Sequence, residues 1–488
     1  MRTAQPPSPL HGRAPLPLPL ARDAGPTLTE QLALRFADRI GQRLLPPGAR
    51  LPSVRGCARS HGVSPATVVG AYDLLQAQGL VEARPQRGFF VREPAAGAAA
   101  RGPSGTPPRP ARPAPRSAPI DATALMRSMF QPPSALPAPG IGTLPEDWLD
   151  PGLLQRALRR VSGAASAPGW LGYGHPAGDP GLRTALSRRL ADLGVPAPAE
   201  QIVTTAGATQ GLDIVSRTLL QPGDAVLVDE PGWAIEFARL ARLGMRLLPV
   251  PRGPQGPDLA VMEALLKAHR PRLYVTVSVL HNPTGVSLSA AAAHQVLRLA
   301  EMHELTIVED DTYAWLAPPH APRLCALDGL RRTVMVSGFS KILTPQWRVG
   351  FIAAAPALAE RFIDTKLLGA LTSPAPLEQA VGWCLDQGLL RRHAERIVTR
   401  LEAARARSQR LALGAGCRFV TPPQGLFGWV DTGMDTDRLA HAMLDEGWLV
   451  APGSLFHATP RPGTLMRINF ATTQEPRFWR ALAARRNT

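Results

Sequence analysis

The chain has 488 residues, 45% of them hydrophobic, which suggests about three domain-sized units with ordinary buried cores. Lysine and arginine (54) outnumber aspartate and glutamate (38), and residues 1–119 alone hold sixteen arginines against six acidic residues. This excess indicates a polyanionic partner, most simply nucleic acid, while four scattered cysteines without a CxxC pair exclude a disulfide framework and a zinc site.

Residues 1–25 are predicted to form a disordered N-terminal tail. They are apolar in places, but prolines interrupt every run, so that they form no signal-peptide core. No later stretch of about eighteen uncharged apolar residues would span a bilayer. We therefore expect a soluble protein in the reducing cytoplasm, with no metal and no membrane partner.

Two helices are predicted next. The first is amphipathic, because an apolar residue recurs at every fourth position, at Leu28, Leu32, Phe36, Ile40 and Leu44. Prolines and a glycine at 46–48 are expected to stop it, and a short second helix follows over residues 53–60.

The third helix has clear boundaries, with Ser64 as its N-cap, Pro65 in its first position and Gly79 past its end. Two short strands are predicted after it, at 80–83 and 88–91, around an arginine-containing turn. A helix, a helix-turn-helix and a two-stranded wing, in this order, are typical of a winged helix, which we assign to residues 26–93.

Residues 94–119 are predicted to be a linker. They contain eight prolines, four arginines and no acidic residue, so that they would lie near polyproline II and reach roughly 80 Å at about 3.1 Å per residue. The remaining residues, 120–488, form a much longer unit.

In that unit, strands alternate with helical patterns such as residues 290–302. Five apolar, β-branched runs have strand length, at 225–228, 273–277, 306–308, 333–336 and 349–353. This arrangement predicts an α/β fold with a mostly parallel sheet flanked by helices.

Ligands bind at the carboxyl ends of such strands, and polar residues stand there. They are Asp229-Glu230, His281-Asn282, Glu309-Asp310-Asp311 and Ser340-Lys341. A lysine with an acid, an amide and an aromatic at neighbouring strand ends suits a cofactor held as a Schiff base, because pyridoxal phosphate needs these groups.

The unit resembles the fold-type I aminotransferase family over residues 140–475, including a smaller C-terminal α/β subdomain. The similar segments are 337–341 (SGFSK) with Arg348, 281–285 (HNPTG) and 310–313 (DDTY). The resemblance implies pyridoxal phosphate in a Schiff base with Lys341, and Arg348 on its phosphate. It also implies Asp310 at the ring nitrogen, with Asn282 and Tyr313 at the phenolic oxygen.

Further segments extend this likeness. By the family pattern, the Ala208 backbone N–H, Thr209 and Ser340 contact the cofactor phosphate, and Trp233 stacks on its ring. Tyr173 would reach the cofactor of a partner subunit, which implies a homodimer. Arg467 matches the arginine that grips a substrate carboxylate. Gly338 departs from the pattern, which has a hydroxyl residue there, and leaves one phosphate contact in question.

Residues 28–92 resemble the GntR winged-helix family, through segments 47–55 and 63–68 and the wing. This likeness implies that DNA contacts are made by Ser53, Arg55, Ser64, Thr67 and Gly88. Pro65 stands where relatives often have arginine, and Gly70 is unusual inside a helix, where it costs about 1 kcal/mol relative to alanine.

The order winged helix, linker, aminotransferase-like domain is that of the MocR subgroup of GntR regulators. The resemblance implies a homodimeric regulator that binds operator DNA and senses pyridoxal phosphate, or an amine or amino-acid effector that reacts with it. Two alternatives stay open at this point. One is an active aminotransferase, of 2-aminoadipate or aromatic type, with an accessory DNA-binding domain, and the other is a DNA-binding protein with a vestigial dimerisation scaffold.

Overall fold

The structure is a computed structural model that describes residues 20, 25–92, 138–163 and 170–487. The predicted linker 94–119 and nearly all of the predicted tail lie outside the described residues. The described residues form two compact units, one within 1–138 together with 437–449 and one within 139–436 together with 450–488. Within the described part, no helix is long and apolar enough to cross a membrane.

The helices and strands are as follows. The α-helices are α1 Leu28–Gly41, α2 Val54–His61, α3 Pro65–Ala77, α4 Pro151–Ser162, α5 Pro180–Asp192, α6 Ala208–Leu219, α7 Ala234–Arg242, α8 Leu259–His269, α9 Ala290–Met302, α10 Leu324–Asp328, α11 Pro356–Ala370, α12 Ala375–Asp386, α13 Leu389–Gly414, α14 Thr436–Asp445 and α15 Pro476–Ala484. The strands are β1 Val81–Arg84, β2 Gly88–Val91, β3 Ile202–Thr205, β4 Ala225–Glu230, β5 Arg246–Gly253, β6 Gly256–Pro257, β7 Leu273–Thr276, β8 Thr306–Asp310, β9 Thr333–Gly338, β10 Gly350–Ala353, β11 Arg418–Phe419, β12 Phe427–Asp431, β13 Ala451–Pro452 and β14 Leu465–Asn469.

In the first unit, α1, α2 and α3 pack around Phe36 and Tyr72, whose rings meet edge to face with centroids 5.6 Å apart. Antiparallel strands β1 and β2 form the wing. The winged-helix order is confirmed, but α1 ends at Gly41 rather than at the prolines of 46–48, and Leu44 is buried beyond the helix.

The second unit is built on an eight-stranded sheet with the order β3-β10-β9-β8-β7-β4-β5-β6. Strands β5, β4, β7, β8 and β9 are parallel, whereas β10 runs antiparallel to both of its neighbours and β6 antiparallel to β5. The α/β fold with a mostly parallel sheet is therefore confirmed. Strands β3 and β5 were not foreseen from the sequence, whereas α9 has the predicted bounds.

Helices cover both faces of this sheet. Alternate residues of β4 point to opposite faces: Val226 and Val228 join one buried cluster with α6 and α11, and Ala225 and Leu227 join another with α8 and α9. Such two-sided burial fixes the strands in register, so that their carboxyl ends meet at one edge. A smaller antiparallel sheet, β11-β12-β14-β13, forms the C-terminal part of the unit.

Candidate active site

The polar residues predicted at strand ends lie at the carboxyl edge of the parallel strands. Asp310 is the last residue of β8, and Ser340 and Lys341 follow β9, its neighbour in the sheet. Asn282 lies on the loop that follows β7, the other neighbour of β8. The fold therefore brings lysine, carboxylate and amide together from three adjacent strands.

Lys341 is the amine of this site. Its part-buried Nζ donates a hydrogen bond to the Gly142 carbonyl at 2.8 Å. Burial, reinforced by the positive charges of Arg467 and Arg348, lowers the pKa of Lys341 to about 8, while Asp310 acts in the opposite direction. An amine with such a pKa is partly neutral near physiological pH, and the neutral form is the one that attacks a carbonyl carbon.

Asp310 is the acid of the site, and it is buried. The Thr312 amide (3.0 Å) and the Thr312 hydroxyl both donate to its Oδ1, which leaves Oδ2 for a ring N–H. Burial raises the pKa of Asp310 to about 6, while its bonds from Thr312 and the charge of Lys341 act against the rise. A bound cationic ring would favour the ionised carboxylate further.

Tyr313 and Asn282 lie beside each other below this edge. The Tyr313 ring meets the Phe427 ring edge to face with centroids 5.4 Å apart. Burial raises the pKa of Tyr313 above its ordinary value, opposed by Arg467 and by a hydrogen bond with Asn282. The phenol therefore stays protonated and remains a donor for an oxygen anion.

Arg467, on β14 of the small sheet, completes the cluster. Its Nη1 donates to Asn282 Oδ1 at 2.9 Å and its Nη2 to the Gly140 carbonyl at 2.5 Å. The guanidinium carbon lies over the rings of Phe427 and Phe456, 4.6 and 5.0 Å from their centroids. The Nε–H is buried without a partner among the described residues, so the guanidinium retains a donor for an anionic ligand.

A segment missed by the sequence reasoning, residues 139–143, lies against this cluster. The Gly140 carbonyl accepts from Arg467 and the Gly142 carbonyl from Lys341, as described above. The carbonyls of Ile141 and Thr143 accept from Asn469 Nδ2 at 2.9 and 2.7 Å. Asn469 could have been predicted as a site residue from the sequence, because it follows Arg467 by two positions and therefore lies on the same face of the strand. The segment itself has no distinctive local pattern.

The predicted phosphate site is a small-residue cradle between β3 and α6. Arg348 donates to the Ala206 carbonyl (2.8 Å) and to Ser340 Oγ (3.1 Å). Gly207 has φ +83, and a Cβ there would lie 2.6 Å from the Arg348 guanidinium. The amide of Ala208 begins α6, where the first helical N–H groups have no partner within the helix and favour an anion.

The departure at Gly338 now has a structural reason. A Cβ at Gly338 would lie 3.3 Å from the Ala208 amide nitrogen and 3.2 Å from the Val349 carbonyl, so any side chain there would crowd the cradle. The hydroxyl of Ser337 does not replace it, because it donates to the Asp311 carbonyl at 2.8 Å.

The structure gives weaker support to three further predicted cofactor contacts, Trp233, Thr209 and Tyr173. Trp233, half-buried at the start of α7, packs with Ala208 against the same core cluster. Thr209 is exposed in the first turn of α6. Tyr173 is 82% exposed and stays outside the cluster of its own chain.

A buried hydrogen-bond network around Asp229 also supports the site. The carboxylate of Asp229 accepts from Tyr274 (2.5 Å), Thr276 (2.7 Å) and Arg252 (2.9 Å), and His281 Nε2 lies 3.6 Å from it. Burial and the charge of Arg252 hold the pKa of His281 well below its usual range, so that the imidazole is neutral. This network ties the ends of β4 and β7 to the loop that carries the Asn282 amide.

This donor set fits pyridoxal phosphate. Lys341 supplies an amine of lowered pKa, Asp310 a carboxylate, Asn282 and Tyr313 two donors side by side, and Arg348 a cation at a helix N-terminus. When bound, the cofactor supplies an aldehyde that combines with amines and a ring that withdraws electrons. The orphaned Nε of Arg467 adds a place for the carboxylate of an amino compound.

We expect Gly207→Ala to weaken pyridoxal phosphate binding by about 10- to 100-fold, because the new methyl would displace Arg348, whose predicted bond to the phosphate would be worth roughly 1.5–3 kcal/mol. Titration of the cofactor-free protein, followed by absorbance, measures this loss. Gly329→Ala is the matched control: Gly329 also has positive φ (+65), but a Cβ at that position would meet no heavy atom within 4 Å. Equal losses in both variants would contradict the cradle.

Cofactor loading should depend on pH through Lys341. With a pKa of about 8, the neutral fraction of its amine rises from about one tenth at pH 7 to about nine tenths at pH 9, and the loading rate should rise about tenfold and then level off. Stopped-flow absorbance gives the rate, and a simple alkyl amine mixed with the cofactor in solution corrects for the cofactor's own titration. A rate that still rises tenfold above pH 9 would contradict a lowered pKa.

In the first unit, four of the five predicted DNA contacts lie at the N-termini of two helices, and the fifth, Gly88, lies in the wing. Ser53 caps α2 by accepting from the Gly56 amide (3.1 Å), and Ser64 caps α3 by accepting from the Thr67 amide (3.1 Å). Arg55 is exposed in the first turn of α2, and Gly88 begins β2 with φ +97. Their contacts with DNA stay predictions.

Gly70 is explained by packing within the same unit. A Cβ at Gly70 would lie 3.0 Å from the Thr29 methyl group of α1. The glycine therefore lets α1 and α3 approach closely, and this contact offsets its low helix propensity.

The fold and the site define the class of protein: a pyridoxal-phosphate-dependent aminotransferase domain on one chain with a winged helix. Residues 140–484 match the family "Aminotransferase class I and II", and residues 28–91 match "Bacterial regulatory proteins, gntR family". The probable rhizopine catabolism regulatory protein MocR of Rhizobium meliloti is 30% identical over 479 residues, covering 92% of this chain and 91% of that protein.

Two similar proteins are named as aminotransferases. The 2-aminoadipate transaminase of Thermus thermophilus is 32% identical over 287 residues, covering 56% of this chain and 71% of that enzyme. The crystal structure of LysN, an α-aminoadipate aminotransferase from the same species, has a TM-score of 0.67 at 24% identity, covering 74% of this chain and 94% of that one. The chain belongs to the aminotransferase class I and II family and, through its gntR-family domain, to the MocR subgroup of regulators.

Proposed function

We propose that this protein is a transcription regulator that binds operator DNA and changes that binding when an amino acid or related amine reacts at its pyridoxal phosphate site. The observation that carries the proposal is the pairing of Lys341 with Arg467. Both donate to carbonyls of one short segment, to those of Gly142 and Gly140, two residues apart. An amine that can react with the cofactor and a guanidinium that can bind a carboxylate, both held by one short segment, suit an amino acid as ligand. The same chain also carries a gntR-family domain.

In this proposal, Lys341 holds the cofactor as a Schiff base and Asp310 keeps its ring nitrogen protonated. Asn282 and Tyr313 donate to its phenolic oxygen, and Trp233 covers one face of its ring. The phosphate contacts are Arg348, Ser340, Thr209 and the Ala208 amide. Arg467 binds the carboxylate of the incoming effector, whose amine takes the place of Lys341 on the cofactor.

The proposed domain limits are the winged helix over 26–93, the linker over 94–119 and the cofactor domain over 120–488. A linker of that length lets each winged helix bind DNA while its own cofactor domain stays dimerised. Since its target would be chromosomal DNA, we place the protein in the cytoplasm.

We infer a homodimer from an exposed apolar surface beside Tyr173. Leu171 and Leu368 are almost wholly exposed, at 106% and 93%, and Leu371 is half exposed. A hydrogen bond from the Gly174 amide to Thr372 Oγ1 (3.2 Å) joins the two segments that carry these residues. Apolar side chains so exposed favour burial by a second copy, in which Tyr173 would reach the partner's cofactor.

A working aminotransferase is the second candidate, favoured by the completeness of the Lys341, Asp310, Tyr313 and Arg467 cluster. The similar Thermus enzyme is named for 2-aminoadipate, which makes this amino acid a first probe. Its turnover with a keto acid would need no DNA, so the two candidates are separable.

The deciding experiment uses the full-length, cofactor-loaded protein and a duplex selected from a random-sequence pool. Each amino acid, with 2-aminoadipate first, is screened for a change in cofactor absorbance and in duplex affinity. We expect at least one to change affinity about tenfold or more, with transamination far below about 1 s⁻¹. Turnover at ordinary enzyme rates would contradict a pure sensor, and an affinity indifferent to every amine would contradict sensing altogether.

A further inference from the structure

The exposed side chains in the first two turns of α3 are apolar, although a recognition helix usually carries hydrogen-bonding side chains there. Val68, Ala71, Tyr72 and Leu75 face the core and are fully buried. Pro65, Ala66 and Val69 are exposed, with Val69 at 42%. They occupy the first two turns of the second helix of a helix-turn-helix, the part that such domains place in the major groove.

The polar groups of these turns are committed elsewhere. Ser64 Oγ accepts from the Thr67 amide at 3.1 Å and shares a hydrogen bond with the Thr67 hydroxyl at 2.9 Å. Residues 64–70 contain no arginine, lysine, asparagine or glutamine. The long side chains that read guanine or adenine edges are therefore missing from this stretch.

The winged helix also carries exposed cations that are complementary to DNA, although Asp73 of α3 is an exposed acid. Arg55 and Arg59 of α2 and Arg87 of the wing are exposed, and the chain up to residue 119 is strongly basic. These side chains supply phosphate attraction without base identity. Exposed apolar side chains on the second helix of a basic helix-turn-helix suit the one apolar group in the major groove, the 5-methyl group of thymine.

We propose that α3 selects its DNA site by apolar contact of Ala66 and Val69 with thymine methyl groups. The inference rests on the DNA binding proposed above and adds the base that is read. In this proposal, each half-site is determined by an A·T pair whose thymine methyl group points toward α3. The arginines fix the position of the protein along the DNA through phosphate contacts.

The test uses the full-length protein and the duplex most enriched from a random-sequence pool at fixed salt. Each thymine is replaced in turn by deoxyuridine, which lacks only the methyl group. We expect one or two positions per half-site at which the replacement weakens binding about threefold to tenfold, as loss of one or two methyl contacts implies. A selected site without a fixed thymine, or no position with more than a twofold effect, would overturn the proposal.

Variants assign the effect to residues. In Val69→Ala, the difference between thymine and deoxyuridine at one position should shrink below twofold, whereas Leu74→Ala, a change at another exposed apolar residue of α3 (37%), should preserve it. Arg55→Ala should weaken binding to both duplexes equally and lower the salt slope by about one charge. An unchanged difference in Val69→Ala overturns the reading by Val69. Failure to enrich any duplex would instead sink the DNA-binding function itself.

Discussion

Replacement of Lys341 by alanine should abolish the covalent attachment of pyridoxal phosphate and the absorbance near the visible edge that accompanies it. Lys341 is the amine that the structure places beside Asp310 and Arg467, with a pKa lowered to about 8. Loss of the covalent bond should also weaken cofactor affinity by roughly 100-fold, or about 2.7 kcal/mol. Absorbance titration measures both effects, and borohydride reduction followed by mass spectrometry locates the attached cofactor.

The chain provides its own controls, because it has three lysines in all. Lys366 is 1% exposed and its pKa is also lowered to about 8, by burial and Arg183, with Glu378 opposing. Its Nζ lies 3.3 Å from Thr204 Oγ1, away from the Asp310 cluster. Lys366→Met and the exposed-site change Lys267→Ala should both leave the colour intact.

Comparing Lys341 with Lys366 tests whether a lowered pKa is sufficient for cofactor attachment or whether the surrounding residues are also needed. If a lowered pKa were sufficient, Lys366 would compete with Lys341 for the cofactor, and Lys341→Ala would keep part of its colour. A colourless wild-type protein would favour the vestigial scaffold instead. We expect neither, because Lys341 lies near Asp310, Arg348 and Arg467, whereas the charged neighbours of Lys366 are Glu378 and Arg183.

The strand-end residues could be predicted from sequence because their placement follows from one rule. Carboxyl ends of parallel strands meet at one edge, so recognising the runs that end before Asn282, Asp310 and Lys341 already brings these residues together. The winged helix was equally accessible, since the N-cap Ser64 and the following Pro65 are local signals that need no tertiary information. The second helix was predicted to include Ser53, which the structure places one position earlier, as its cap.

The rest depends on contacts between distant parts of the chain. Gly140 and Arg467 are separated by 327 positions, and no local pattern indicates that the carbonyl of one meets the guanidinium of the other. The glycines at 70 and 338 are similar cases, because each is required by a neighbour that only the folded chain supplies. The early end of α1 at Gly41 has the same origin, since Leu44 is buried without being helical.

Removal of the Arg467 guanidinium should separate carboxylate recognition from amine reactivity. In Arg467→Met, we expect affinity for L-leucine to fall by about 10- to 100-fold, because the charge-assisted hydrogen bond from the free Nε–H to the carboxylate, worth roughly 1.5–3 kcal/mol, is lost. Affinity for 3-methylbutylamine, which differs from leucine only in lacking the carboxylate, should change by less than about threefold. Spectral titration of the cofactor-loaded protein with both compounds measures the difference.

The same variant makes a second, independent change. Arg467 is one of the charges that lower the pKa of Lys341, so its removal should raise that pKa and move the pH dependence of cofactor loading upward. Arg418→Met is the matched control, because Arg418 lies in the same small sheet, 81% of its side chain is exposed and it pairs with Asp431 at the surface. If affinity falls for both ligands and the pH dependence of cofactor loading does not move, Arg467 serves the fold rather than the ligand. If affinity falls for leucine alone and the pH dependence moves to higher pH, the same guanidinium both binds the carboxylate and lowers the pKa of Lys341.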